Sequence, residues 1–227
     1  PLDEYEVPGT LIDQAAEKTD TALIVIGRNS GGEECDRHLS EDYYLTNSEE
    51  SLLKEVCSHF TNVVVVLNVN GLIDLSWVRK YANIKSLLFI GIPGEEGASA
   101  LAGILTGETN PSGKLAVTIA EHYEDYPSAD HFSWDKEHLE NVLDYESYGL
   151  SSEENGSTGF SKSPVSVYWE DIYTGYRYFD TFGKPVLYPF GYGLSYTEFA
   201  ISDASAEKQN GGIMVTANVK NIGEISG

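Results

Sequence analysis

Residues 21–39 read TALIVIGRNSGGEECDRHL, Thr21 to Leu39. The first seven, TALIVIG, are almost wholly apolar and do not alternate, which is the pattern of a strand buried on both faces of a parallel sheet. The polar link Arg28-Asn29-Ser30 follows, and two glycines then open onto Glu33, Glu34, Cys35, Asp36, Arg37 and His38. A charged, glycine-flanked loop just past the carboxyl end of a buried strand is where open α/β sheets place their chemistry. The stretch therefore reads as half of an active site, with the other half outside this chain.

The flanking sequence repeats the strand–helix alternation. Upstream, Pro8-Gly9-Thr10 reads as a helix start with Thr10 as cap, Asp13 in the first turn, and Leu11, Ile12, Ala15 and Ala16 as its apolar stripe. Downstream, Thr46-Asn47-Ser48-Glu49 fits a capping box. Leu52, Leu53, Val56, Cys57 and Phe60 then recur at helical spacing. VVVVLNV (Val63 to Val69) predicts a second buried strand stopped by Asn70-Gly71, a short helix spans Leu75 to Tyr81, and SLLFIGI (Ser86 to Ile92) predicts a third strand. After Pro93-Gly94 comes a helix expected to bury Ala98, Leu101, Ala102 and Leu105, then the turn Asn110-Pro111-Ser112-Gly113 and a short strand over Leu115 to Ile119. The fold class is α/β: a largely parallel sheet with right-handed crossovers and helices on both faces, an α/β sandwich.

Two other regimes follow. Residues 121–166 are acidic, dotted with aromatics and end in SSEENGSTGFSKS, an excursion in which Trp134 to Leu143 reads as helix. Excursions of that length in compact domains are functional lids or mobile segments. Residues 167–193 are dense in Tyr, Phe and Gly and read as a packed connection. From Ile213 to Lys220 apolar and polar residues alternate with period two, a half-buried antiparallel strand, with Phe199 and Ile201 beginning its partner. Two strands are too few for an independent β domain. The chain thus divides into residues 1–193, an α/β domain, and 194–227, the first strands of an incomplete β-sandwich.

Bulk properties exclude several functions. With 41% hydrophobic and 11% aromatic residues in 227, a substantial core can form. A net charge of −22, from 36 acidic against 14 basic residues, repels nucleic acid and anionic membrane. No apolar run approaches the about 20 residues of a membrane-spanning helix. Cys35 and Cys57 form neither a disulfide framework nor a metal-ligand spacing, which favours a reducing, cytoplasmic setting. No signal peptide is visible, and Pro1 reads as an interior start. Gly27-Arg28-Asn29-Ser30-Gly31-Gly32 matches neither the dinucleotide nor the P-loop pattern.

Four stretches, in order, resemble glycoside hydrolase family 3, the β-glucosidase and β-xylosidase type. They are the acidic loop ending in Asp36-Arg37, NPSGKLAVTIA (Asn110 to Ala120), VYWEDIYTGYRYFDTFG (Val167 to Gly183) and YPFGYGLSYTEF (Tyr188 to Phe199). The resemblance implies a three-part enzyme: a (β/α)8 barrel, an α/β sandwich, and a fibronectin type III-like domain. This chain resembles the sandwich with the start of the third part. The barrel, which carries the nucleophilic aspartate and most sugar-binding residues, would be its missing partner.

The resemblance also assigns chemistry. Many family members place the acid/base in SGEGxDR, and the matching text here, Ser30 to Arg37, is one residue longer. Counting back from Asp36-Arg37 selects Glu33 as acid/base, and placing the gap elsewhere selects Glu34. A retaining glycosidase needs two carboxyls about 5–5.5 Å apart, one nucleophile and one acid then base. The expected activity is exo-acting hydrolysis of terminal β-linked sugars, glucosides first, from a small-molecule or oligosaccharide β-glycoside, with no metal or organic cofactor. Trp134 either stacks on a sugar ring or packs, whereas Tyr168 and Trp169 read as packing. Asp36 and Arg37 read as loop-pinning ion pairs and His38 as an ordinary loop histidine. Glu95 and Glu96 suit a helix N-terminus, and Glu170 and Asp171 read as backbone hydrogen-bonders. The chain alone is expected to be inactive. A non-catalytic carbohydrate-binding or scaffolding piece is the alternative, and a homo-oligomer is compatible with either.

Overall fold

The computed structural model describes residues 6–28, 39–129 and 170–227. Helix α1 (Gly9–Ala16) leads into strand β1 (Thr21–Gly27), α2 (Asn47–His59), β2 (Asn62–Asn68), a 3-10 turn (Ser76–Lys80), β3 (Ile84–Phe89) and α3 (Gly97–Thr106). The short β4 (Ile119–Ala120), α4 (Tyr176–Phe182) and β5 (Val186–Tyr188) follow, and β6 (Phe199–Gln209) and β7 (Gly212–Asn221) close the chain. Parallel strands with helices, joined by antiparallel pairs, make this an α/β sandwich with added β structure.

The three parallel strands lie in the order β1-β2-β3. β1 and β2 pair without a break from Thr21↔Asn62 to Gly27↔Asn68. Val64 of β2 then pairs with Ser86 and Val66 with Leu88, after a register shift at Val63/Val64. Pairing fixes which residues share a face. Ile24, Ile26, Val63, Val65 and Leu67 form one face and join Ile12 of α1 with Leu53, Val56 and Phe60 of α2 in a single buried cluster. Trp77 of the 3-10 turn packs into the same cluster. Both connections therefore bury on one side, as a sequential strand order with crossovers of one hand requires.

On the other face Val66 is fully buried but Leu23 and Val25 are each 51% exposed. The unbroken apolar run of β1 predicts burial on both sides. The structure instead alternates, because β1 is the edge of the described sheet and no described element covers that part of it.

Local rules decide the helix ends. Thr46 caps α2: its hydroxyl accepts from Glu49 N, and the Glu49 carboxylate accepts from Thr46 N at 2.8 Å. α1 differs from expectation, since Pro8 occupies the N-cap without a side-chain bond and Thr10 lies inside the first turn. Proline supplies the required φ and needs no donor there. α3 also differs. Ala98 and Ala102 are exposed and Leu105 is 41% exposed, while Leu101, Gly103 and Ile104 are partly buried. Near its C-terminal end the Tyr196 hydroxyl donates to Ile104 O at 2.9 Å. The strand expected over Leu115 to Ile119 is ordered at Ile119–Ala120 and pairs antiparallel with β5. Leu115 exchanges two backbone bonds with Gly191 N and Tyr192 O, both at 2.8 Å.

β6 and β7 form a two-stranded ribbon turned at Asn210 (φ 49°) and Gly211 (φ 80°), two left-handed residues that match the twist of a tight hairpin. Its alternation is as expected but its burial is not. Ile201, Ile213, Val215 and Val219 are all more than 60% exposed, since no described layer lies on either face.

Candidate active site

The three parallel strands finish level with one another. Arg28 N donates to Asn68 O (3.1 Å) just past the last β1–β2 pair, and Ile90 N donates to Leu67 O (3.0 Å) just past the last β2–β3 pair. The acidic loop springs from this carboxyl edge, directly after Arg28. Glu33 and Glu34 lie outside the described residues, as do Cys35, Asp36, Arg37, His38, the expected helix from Trp134 to Leu143 with Trp134 itself, Tyr168 and Trp169.

What the structure does place is the pair of segments from which that loop departs and to which it returns. Arg28 is the last described residue before it, and a π-helical turn, Leu39–Tyr43, is the first element after it. A guanidinium has five N–H donors, and all five of Arg28 are used. Nε donates to Asp42 O (3.0 Å), and one terminal nitrogen donates to Gly27 O (2.8 Å) and Glu49 Oε1 (2.5 Å). The other donates to Tyr44 O (3.2 Å) and Glu49 Oε2 (2.8 Å). The two side chains are 6% and 3% exposed. Glu49 thus serves twice, as the reciprocal partner in the Thr46 capping box and as a bidentate anchor for Arg28. Position three of a helix favours the carboxylate further through the helix dipole.

The returning segment is held from beneath as well. Asp74 N donates to Tyr43 O at 2.8 Å, and the Asp74 carboxylate accepts from Ser76 N and Ser76 Oγ. The Tyr43 ring meets Tyr44, Tyr123 and Tyr126 edge-on, with centroids 5.0, 5.1 and 6.4 Å away, and Tyr126 in turn meets Phe179. Burial, with Tyr126 next to it, pushes the Tyr43 phenol far above its ordinary value, and burial also raises Tyr126. These phenols stay protonated and pack; they are not bases. The Tyr126 hydroxyl accepts from Ala120 N at 3.0 Å and donates to Thr118 O. That bridge couples the aromatic cluster to β4.

The remaining acidic candidates are peripheral. Glu95 and Glu96 are exposed, and Glu96 caps α3 without a side-chain bond. Glu170 borders a hollow with Pro127, Tyr173, Tyr178 and Phe182, and its carbonyl, not its carboxylate, accepts from Tyr173 N. Asp171 is exposed with φ 51°. Among the described residues no three His, Cys, Asp or Glu side chains converge as metal ligands would. No described helix is long and apolar enough to cross a membrane.

Sequence reading alone missed Arg28. An arginine after a strand looks like a solvated link, and only the fold brings it to Glu49, 21 positions on. The stretches Asn110 to Ala120 and Tyr188 to Phe199 also prove to lie side by side. Asn110 Oδ1 accepts from Ser195 Oγ and Tyr196 N, and Lys114 Nζ donates to Gly193 O.

The sequence model of the glycosyl hydrolase family 3 C-terminal domain matches residues 10–196, most of the chain. The chain belongs to glycoside hydrolase family 3. Within the family it is 37% identical over 226 residues to a β-glucosidase of Ruminococcus albus, covering 99% of this chain and 21% of that protein. A β-glucosidase structure from Paenibacillus barengoltzii superposes with a TM-score of 0.77 at 33% identity, covering 97% of this chain and 22% of that one. β-Glucosidase 3B from Thermotoga neapolitana, solved in complex with α-D-glucose, gives 0.77 at 34% identity over 96% of this chain and 27% of its own. The chain therefore spans about a fifth to a quarter of the length of these family 3 relatives.

Proposed function

We propose that this family 3 domain belongs to an exo-acting β-glucosidase that hydrolyses terminal β-glucosides with retention, and that it contributes the acid/base, Glu33. The observation that carries the reading is the match of residues 10–196 to the family's C-terminal domain, which includes the acidic loop at the edge of β1. The nucleophile belongs to a barrel outside this chain, and residues 194–227 begin a fibronectin type III-like domain. In the first step the barrel carboxylate attacks C1, the glycosidic C–O bond breaks, and Glu33 gives its proton to the departing oxygen. In the second step Glu33 takes a proton from water, which attacks C1 and releases the nucleophile. The 227-residue chain alone then lacks one of the two carboxyls and does not turn over.

The test is substitution in the full-length enzyme. A leaving group such as 2,4-dinitrophenolate needs no protonation, so Glu33→Ala keeps kcat/KM for that glucoside while losing it for phenyl glucoside. Azide, which attacks the glycosyl-enzyme without a base, restores turnover. If Glu34→Ala shows this behaviour instead, the register moves by one residue. If neither variant shows it, the loop does not hold the acid/base. Trp134 is assigned a stacking role against the sugar, and an unchanged KM in Trp134→Ala removes that assignment.

A further inference from the structure

We infer that the buried Arg28–Glu49 pair is the positioning element of the acid/base loop, an inference that rests on the proposed role of that loop. The pair ties three segments together at one point. Arg28 ends the strand from which the loop leaves, Asp42 and Tyr44 belong to the segment by which it returns, and Glu49 is fixed in the first turn of α2. Four of the five guanidinium donors are spent on these partners and the fifth on Gly27 O, so the group has one orientation available.

Stability alone is a poor reason for this arrangement. Buried ion pairs lose so much on desolvation that well-packed apolar residues of similar size serve equally well or better. An apolar pair, however, could not specify direction. Here the planar fork grips two carbonyls of the returning segment while a bidentate carboxylate holds it from the helix. Fixing these two feet sets the separation and angle at which the chain leaves β1 and re-enters the fold at Asp42 and Tyr44. General-acid catalysis depends on such placement: an error of about 1 Å costs on the order of 100-fold.

Arg28→Lys keeps the charge but loses the fork. Glu49→Gln keeps an acceptor for Thr46 N, and hence the helix cap, but loses the charged bidentate grip. Both are made in the full-length enzyme and assayed by kcat/KM on phenyl and 2,4-dinitrophenyl glucosides. The dinitrophenyl substrate needs no acid, so its rate measures folded, substrate-competent enzyme within the same preparation. The expected result is a fall of about 30-fold on the phenyl substrate against less than threefold on the dinitrophenyl one, with azide raising kcat. A change in the ratio of the two smaller than tenfold, in both variants, overturns the inference, because a merely structural pair lowers both rates together. Glu33→Ala and Glu34→Ala run alongside. If one of them is leaving-group selective and the clamp variants are not, the positioning role fails and the loop assignment stands. If neither is selective, the loop assignment itself has failed.

Discussion

Arg28→Met removes the cation and leaves its partner behind. Among the described residues the Glu49 carboxylate, 3% exposed, would keep the backbone donor Thr46 N, and the carbonyls of Asp42, Gly27 and Tyr44 would each lose the guanidinium donor. Stranding one member of a buried pair costs about 3–5 kcal/mol. The internal control is the Arg79–Glu121 pair, 3.2 Å apart with side chains 63% and 32% exposed. Solvent screens that pair, and its loss in Arg79→Met costs no more than about 1 kcal/mol. Urea unfolding followed by tryptophan fluorescence reads both, since Trp77 sits in the core at 3% exposure. In the double variant Arg28→Met/Glu49→Gln the stranded charge is gone, so the two changes should be non-additive by about 1–3 kcal/mol. Equal shifts for Arg28→Met and Arg79→Met, or strict additivity in the cycle, would refute the claim that Arg28 and Glu49 form one buried unit.

Other perturbations test separate contacts. Thr46→Ala breaks the reciprocal cap of α2 and should cost about 1 kcal/mol in unfolding free energy; a neutral result would mean that Arg28 alone fixes Glu49. His59 donates through Nδ1 to Glu55 O (2.7 Å) and through Nε2 to Asp13 (3.0 Å), contacts that favour the imidazolium. Its folded pKa therefore lies above the ordinary 6.5, chiefly through the Glu55 carbonyl with Asp13 adding to it. A raised histidine stabilises fully below its unfolded pKa and loses that contribution as pH climbs through the folded one. An NMR titration midpoint at or below 6.5 would contradict it. A methyl group at Gly193 would sit 2.7 Å from the backbone oxygen of Gly113 and 2.8 Å from Lys114 Cδ. The lysine can move but the carbonyl cannot, so Gly193→Ala should cost about 1–3 kcal/mol. Gly113→Ala, which meets nothing within 4 Å, is its control, and a matching Tm for the two variants would be the contrary result.

Patterns confined to one segment were legible in the sequence. The Thr46 capping box, the buried β2 and the amphipathic α2 each follow from residues a few positions apart, and the structure reproduces them. Properties set by partners were not. Leu23 and Val25 look like core until the sheet edge is known. Ala98, Ala102 and Leu105 of α3 likewise look like core but are exposed, and the Ile104 carbonyl accepts from Tyr196, 92 residues away. β4 finds its mate in β5 across the long acidic excursion. The same logic hid Arg28: its neighbours in sequence are Gly27 and Asn29, and nothing among them announces a carboxylate in the next helix. The family resemblance carried more than spacing could, because position after a buried strand marked the acidic loop only as a place for chemistry, whereas the resemblance singled out Glu33 and Glu34 as acid/base candidates.

Retaining hydrolysis constrains where a two-domain enzyme puts its stiffness. Its two carboxyls must stand about 5–5.5 Å apart across the substrate, yet under the proposed reading they belong to different domains. A donor far along a loop cannot be braced by its own short-range contacts alone. The economical place to hold it is where the loop joins the sheet, since any tilt there is carried to the tip. That junction is where this domain buries a guanidinium with every donor satisfied, next to an aromatic cluster whose phenols stay protonated. Under that reading, a junction held this way would let a single residue serve as acid in one step and base in the next without rebuilding the site between the two. A donor held instead by the barrel would leave the Arg28–Glu49 pair with no kinetic signature, and the leaving-group ratio separates these two designs directly.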